Sequence, residues 1–356
     1  MWHLFTLCLL PMSMRTFSTA SSGLMARTSF LNFVLQLGLI IRPSTLKFLT
    51  FTWATSRHLH PDGSGQGYKG SARIGLGMRE DLVDILCCPL CRGPLALKAF
   101  RSVGGDVLRG LLTCGRCGQA YPIIGGIPDF LPPPLLYGED LRWMEEYDRM
   151  ARGYYLLFHA FLPAVTLGAE PRARARWASR LGLRPGDKVL DVGTGTGRNL
   201  PFLRELVGPE GLVVGMDISR SMLYYAVRTA RAEGWANVEL QRANAAYLPY
   251  RDAVFDAVIH VGGINTFEEK ARALSEMVRV AKPGARVVIV DEGLEPRMRK
   301  KLLGRLLLRT NVLYASYPPV EELPDGAGGI RVEWGLMPSR FFPIWPYYIM
   351  EFRRTG

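Results

Sequence analysis

From Pro185 onward the chain alternates short apolar runs with longer amphipathic ones. DKVLDVG (187–193), LVVGMDIS (212–219), VELQRA (238–243), FDAVIHVG (255–262) and ARVVIVDEG (285–293) have the length and β-branched content of buried strands. Between them, residues 198–207, 219–233 and 268–281 follow a helical period. This alternation predicts an α/β fold with a mostly parallel sheet. Ligands of such sheets bind at the carboxyl ends of the strands.

Upstream, GEDLRWMEEYDRMARGYYLLFHAFLP (138–163) repeats Leu141, Met144, Tyr147, Met150 and Ala151 at helical spacing. It is rich in aromatics: Trp143, Tyr147, Tyr154, Tyr155 and Phe158. It reads either as a helix packed on the next domain or as a lid over a site. Pro128 and Pro132–Pro134 stop regular structure ahead of it and place a boundary at 128–137. Downstream, RMRKKLLGRLLLR (297–309) sets Met298, Leu302, Leu303, Leu306 and Leu307 on one helical stripe flanked by Arg297, Lys300, Lys301 and Arg305. Six basic residues and no acid suit a surface helix, or one lying on a membrane or an anionic partner. Gly304 weakens that helix.

Charge changes the picture in one place. A formal net charge of +12 suggests a nucleic-acid partner. Yet residues 1–77 hold seven Lys/Arg against one acid, Asp62, and the remaining 279 hold 37 basic and 31 acidic residues. Each part nets +6, so the body is only mildly basic. The acid-poor, Ser-rich opening suits an organelle transit peptide. The expectation favoured instead is a non-native extension, with the protein beginning at Met78 in MREDLVDIL. No uncharged apolar run reaches the length of a bilayer span, and the run Thr28–Ile41 has 14 residues. The expected division is an extension over 1–77, a small module over 78–133, a helical linker or lid over 134–179, and a domain over 180–356. The expected location is the cytoplasm, with a peripheral membrane contact through 297–309.

The module carries the cysteines. Cys88-Pro-Leu-Cys91 and Cys114-Gly-Arg-Cys117 are two CxxC turns separated by 22 residues. Each turn brings two sulfurs to one side of a tight loop, and two turns close a tetrahedral shell around Zn²⁺. The short segment between them has little core, so metal would help it fold. Four thiolates favour a closed structural site. A redox pair would open a helix in a βαβ pattern, and a disulfide framework would suit a secreted chain. Cys87 reads as a small buried hydrophobe, with Cys88 as the ligand.

The first strand of the large domain ends in Asp191-Val-Gly193-Thr194-Gly195-Thr-Gly197. Such a turn lets a ligand approach the backbone. The spacing is GxGxG where a dinucleotide site needs GxGxxG, and an acid just ahead would repel a pyrophosphate. A ligand with positive charge and no phosphate suits it.

Two resemblances follow from these residues. DILCCPLCRGPL with LTCGRCGQAYPIIGGIPDFLP, over about 78–133, resembles the small zinc-ribbon activator of tRNA, rRNA and release-factor methyltransferases. VLDVGTGTGRN, GMDIS, FDAVIHVGG and VRVAKPGARVVIVDEG, over about 180–293, resemble class I S-adenosylmethionine (SAM)-dependent methyltransferases of the quinone-biosynthesis type. The second resemblance implies a Rossmann-like sheet closed by an antiparallel pair, for which GIRVEWGLMP and PYYIMEFRR are candidates. It implies SAM contacts from Asp191, Gly193, Thr194, Gly195, Gly197, Ile218, Asn244 and Ala245, with Asp217 on the ribose hydroxyls. Asn244 stands where relatives have an Asp that contacts the adenine amino group. Its carbonyl oxygen can still accept.

Methyl transfer needs positioning first, and a base only where the acceptor loses a proton. Candidates near the strand ends are His260, Tyr154, Asn265 and Asp148. No NPPY-type motif follows the fourth strand, which argues against amino-group acceptors. Three functions compete: transfer to a small-molecule or lipid-like acceptor, transfer to rRNA or tRNA with the ribbon touching RNA, and a non-enzymatic scaffold. The intact glycines and both acids oppose the scaffold.

Overall fold

The computed structural model describes residues 77–166, 168–337 and 345–356. Apart from Gly77, the extension expected over 1–77 lies outside the described residues. Strands β1 (Met78–Arg79), β2 (Leu95–Val103), β3 (Asp106–Cys114), β4 (Ala120–Ile124) and β5 (Ile127–Pro128) form a small antiparallel sheet. Gly104 and Gly105 both sit at positive φ (60° and 83°), as the tight β2–β3 hairpin turn requires. In β3, Val107, Leu112 and Cys114 are buried while Arg109 is exposed, so one face of the sheet is apolar.

Helix α1 (Gly138–Leu156) follows, then a π-helical turn (Leu157–Phe161), α2 (Leu162–Val165) and α3 (Ala169–Ser179). The large sheet comes next. Its parallel strands are β6 (Lys188–Val192), β7 (Leu212–Asp217), β8 (Val238–Arg242), β9 (Phe255–Val261) and β10 (Ala281–Glu292). Strands β11 (Ala327–Met337) and β12 (Trp345–Arg354) add the antiparallel pair. Among the described residues the order is β11-β12-β10-β9-β6-β7-β8. Helices α4 (Leu200–Val207), α5 (Arg220–Ala232) and α6 (Lys270–Val280) cross between strands. With both faces covered, β6 and β7 are buried almost end to end, which explains their continuous apolar runs. The strand order reverses between β6 and β9, so their carboxyl ends open the crevice where ligands bind.

The small and large sheets share a core. Met78, Leu86, Tyr121 and Phe130 belong to the same buried cluster as Val214, Leu248, Tyr250 and Val258. Backbone bonds stitch the seam: Cys87 N–H donates to Pro249 O (2.9 Å), Arg251 N–H to Ile85 O (2.9 Å) and Phe130 N–H to Arg242 O (2.8 Å).

The stretch 297–309 departs from expectation. It forms two pieces, α7 (Pro296–Arg299) and α8 (Leu302–Thr310), broken at Lys300–Lys301. A Cβ on Gly304 would collide with Met298 O, so the glycine lets α8 cross directly over the backbone of α7. The stripe is split accordingly: Leu307 is buried, while Leu302, Leu303 and Leu306 face solvent.

Candidate active site and metal centre

The two CxxC turns meet. The sulfurs of Cys88, Cys91, Cys114 and Cys117 all lie within 4.8 Å of one another. Cys88 Sγ is 3.7 Å from Cys117 Sγ, and Cys91 Sγ is 3.5 Å from Cys114 Sγ. A zinc–sulfur bond of ~2.3 Å sets tetrahedral sulfur–sulfur edges of about 3.8 Å, so the shell has the size zinc needs. Backbone N–H groups of Arg116 and Cys117 donate to Cys114 Sγ (3.4 and 3.5 Å). The Tyr121 hydroxyl lies 3.0 Å from Cys88 Sγ. Such donors stabilise thiolates and orient them for metal. Cys87 is buried, and burial pushes its thiol up to about 11, as expected of an inert hydrophobe.

From the first knuckle a polar chain runs into the large domain. Arg92 pairs with Glu276 (3.0 Å). Glu276 accepts from Leu248 N–H (3.0 Å) and from Arg279 Nε (2.7 Å). A second chain leaves the end of the ribbon. Asp129 accepts from Arg242 (3.1 Å) and Arg220, and Arg242 Nε donates to Ile218 O (2.9 Å). Both chains end in loops that follow strands of the large sheet.

At the crevice, the glycine turn after β6 is held from beneath. Asp191 is fully buried and accepts from Thr194 Oγ1 (2.7 Å) and Asn199 Nδ2 (2.9 Å). Asp217, closing β7, accepts from Gly195 N–H and Ser219 N–H, both at 2.8 Å. Burial pushes each of these carboxyls up to about 6, against the pull of their hydrogen bonds. Gly193 sits at a positive φ (66°) that strains any side chain, and its Cβ position is tight against His260 Cε1 at 3.2 Å. Gly195 and Gly262 instead have no atom within 4 Å of a Cβ position, so open space lies above both.

His260 is fully buried at the end of β9. Its Nδ1 is 2.8 Å from Val192 O, and a carbonyl can only accept, so Nδ1 carries the proton. Burial lowers its pKa, with Asp291 pulling the other way. The neutral ring therefore keeps a bare lone pair on Nε2, which has no partner among the described residues.

Helix α1 lies across these strand ends and is fastened to several. Asp148 accepts from Ser219 Oγ (2.6 Å) and Ser221 N–H (2.9 Å), capping α5. Asp140 accepts from Asn244 Nδ2 (2.9 Å) and Glu268 N–H (3.1 Å). Beyond α1, His159 Nε2 meets Thr196 Oγ1 at 2.9 Å. Burial, aided by Arg198 and Arg174, lowers that histidine to about 4. Tyr147 has its phenol pushed far up by burial, with Tyr154, Glu292, Asp217 and Asp291 adding to it. Those acids close β7 and β10, so α1 spans the crevice as a cover.

Residues 183–311 match the family described as "Methyltransferase domain", and residues 79–126 match "Trm112p-like protein". This is a class I methyltransferase domain behind a Trm112p-like module. The chain is 39% identical over 156 residues to the ubiquinone/menaquinone biosynthesis C-methyltransferase UbiE of Francisella philomiragia, covering 43% of this chain and 62% of that protein. It is 39% identical over 112 residues to a demethylmenaquinone methyltransferase of Anoxybacillus flavithermus, covering 32% and 47%. The chain thus spans less than two thirds of these relatives. A solved chain from the complex of the Haloferax volcanii Trm112 methyltransferase activator is 17% identical, with a TM-score of 0.44, covering 59% of this chain and 98% of that one.

The methyltransferase domain fits SAM on its own donor set: two buried acids and a bare imidazole nitrogen for a cationic ligand, with space above Gly195. The four-sulfur shell fits zinc. Three expected site residues have other work. The Asn244 side chain, expected at adenine, gives both amide hydrogens to Leu135 O and Asp140, while its oxygen caps Ala246 N–H. Ala245 is buried beside it. Asn265, a candidate for chemistry, ties Glu292 O (2.8 Å) to the Tyr348 hydroxyl (3.0 Å). Asp148 is a helix cap. Tyr154 packs edge-on against Tyr147 and tilted against Phe158 on the cover. Sequence reasoning passed over Asp291, buried near the end of β10. Its place just after the apolar run of β10, beside Glu292, was the available signal.

Proposed function

We propose that the methyltransferase domain moves the SAM methyl group to a small, flat, apolar acceptor of quinone-like chemistry. The observation that carries this is the aromatic row on the cover. Trp143, Tyr147, Tyr154 and Phe158 follow one another at ring-centroid distances of 5.8, 6.3 and 4.1 Å, and Phe158 reaches Trp345 at 6.2 Å. Such a row stacks a planar ring and offers little to a chain of phosphates. The relatives add support, one being a ubiquinone/menaquinone biosynthesis C-methyltransferase and the other a demethylmenaquinone methyltransferase.

SAM supplies a methyl group already activated by a sulfonium. The protein holds and shields it. Asp217 and Ile218 at the end of β7, Ala245 after β8, and Gly193, Thr194, Gly195 and Gly197 over β6 form the cofactor bed, with Asp191 bracing the turn. The cover excludes water and fixes the acceptor in line. His260, its Nδ1–H fixed by Val192 O, would offer the Nε2 lone pair as a hydrogen-bond acceptor to the bound pair.

A second reading has one observation behind it. On the ribbon, Arg101 and Arg109 lie directly across from each other in the β2–β3 pair, both exposed. Like charges so placed repel unless an anion sits between them, and RNA is one such anion. Labelled methyl transfer from SAM, offered a short-chain quinol or total RNA, separates the two readings. Label in the quinol, lost in Asp217→Ala, is the expected result. Label in RNA alone would overturn the proposal.

A further inference from the structure

We infer that α7 and α8 form a docking edge for an anionic phospholipid surface, placed on the rim of the cofactor crevice. Three residues separate Glu292, at the end of β10, from the first residue of α7. The edge is rigidly held to that rim. Arg299 donates to Leu294 O (2.8 Å), Ala315 O (2.9 Å) and Ser316 O (2.8 Å), and Leu294 N–H donates to Tyr314 O (2.9 Å).

The break at Lys300–Lys301 decides what α8 presents. Gly304 lies against Met298 O, and Leu307 is buried. Leu302, Leu306 and Leu303 then face out, 86%, 58% and 39% exposed. One exposed leucine needs no explanation, but three neighbours on one helical face do. Around them stand Arg297, Lys300, Lys301 and Arg305, all exposed and without an acidic partner among the described residues. From 296 to 310 the chain holds no acid.

Apolar side chains that enter an acyl layer, ringed by cations that stay among headgroup phosphates, are the composition of an interfacial helix. The leucines decide the occupant. Nucleic acid would satisfy the cations and leave the leucines in water, whereas an anionic bilayer satisfies both. No described helix is long and apolar enough to cross a membrane. The docking stands apart from the acceptor's identity. If the acceptor is lipid-like, the edge brings the crevice to the phase where it dissolves.

The test is co-sedimentation of the full chain with phosphatidylcholine vesicles, with and without phosphatidylglycerol. Binding is expected with phosphatidylglycerol only, and it should fade at high salt. Leu302→Glu with Leu306→Glu, and separately Lys300→Glu with Lys301→Glu, should each weaken it by about tenfold or more. These side chains are exposed, so folding should survive, and thermal unfolding checks this. Ile330→Glu, on the β11 edge, should bind as the parent does. No binding to anionic vesicles, or equal binding by the leucine variants, overturns the inference. So does a concentration-dependent dimer that Leu302→Glu dissolves, since the face would then meet a second copy. Methyl transfer to a soluble short-chain quinol, followed in parallel, reports on the acceptor reading without touching this one.

Discussion

The two edges of the large sheet are finished by different means. At β8 the ribbon closes the edge: Phe130 N–H bonds Arg242 O, Asp129 bridges to Arg242, and Leu86 pairs with Tyr250. At β11 no strand follows among the described residues, and Ile330, Val332 and Leu336 stay 42%, 37% and 47% exposed. That edge relies on charge, with Arg331 and Glu333 along it, and on a register irregularity between Gly328 and Arg331. Both devices discourage pairing with another chain. They differ in what they touch. The β8 seal reaches the proposed cofactor bed through Arg242 to Ile218, and the loop at Leu248 through Glu276. Among the described residues, the β11 edge hydrogen-bonds to no residue of the proposed cofactor bed. A metal-built module therefore does at one edge what a few polar residues do at the other, and it reaches the site as well.

The largest effect should come from removing the metal. Chelation, or Cys88→Ser, takes away the closure that holds both knuckles, and structural zinc contributes several kcal/mol to modules of this size. With the shared core loosened, the melting temperature should fall by roughly 10 °C and SAM affinity by about tenfold or more. Elemental analysis, thermal unfolding and calorimetry on one sample check this. Cys87→Ser should retain the metal. Unchanged SAM affinity in a zinc-free chain would break the link between the β8 edge and the site.

Next in size is Glu276→Ala. Glu276 and Arg279 are both mostly buried, and truncation leaves Arg279 with Asp252 and two backbone carbonyls, at a cost of about 2 kcal/mol. Arg92→Ala removes a partner that is 59% exposed and should cost under ~1 kcal/mol. Denaturant unfolding of both variants tells whether the knuckle or the helix holds the 248 loop. Equal losses would assign that hold to Arg92.

What could be read from the sequence tracks how local each signal is. The CxxC pairs and the GxGxG turn encode their geometry within a few residues, and the chain folds there as those motifs imply. Strands with continuous apolar runs were equally legible. The roles of Asn244 and Asn265 were not. Asn244 is captured by Asp140, 104 residues away, and Asn265 by Tyr348, 83 away. No spacing rule reaches such pairs. The break at Lys300–Lys301 was hidden because a helical stripe records period, not the neighbour that Gly304 must cross.

A smaller effect concerns pH. Asp191 and Asp217 are pushed up to about 6, above the unfolded range near 4. Such groups stabilise the free protein at low pH, and that contribution is lost as pH rises through about 6. A cationic ligand favours their charged forms, so SAM affinity should rise from pH 5 to 7 and level off above. Calorimetry across that range checks it. A flat profile would mean that neither acid senses the cofactor, and the β8 wiring would then end short of it.

The smallest effect belongs to the free edge. Ile330→Lys or Val332→Lys adds a cation to a strand already solvated on its outer side, where stability should change by no more than about 0.5 kcal/mol. Zinc content and SAM affinity should be those of the parent, and solubility should hold or improve, since an edge lysine opposes strand addition. A clear loss of SAM affinity in either variant, measured beside Glu276→Ala, would show that β11 also reaches the site. The contrast between a wired edge and a merely guarded one would then fail.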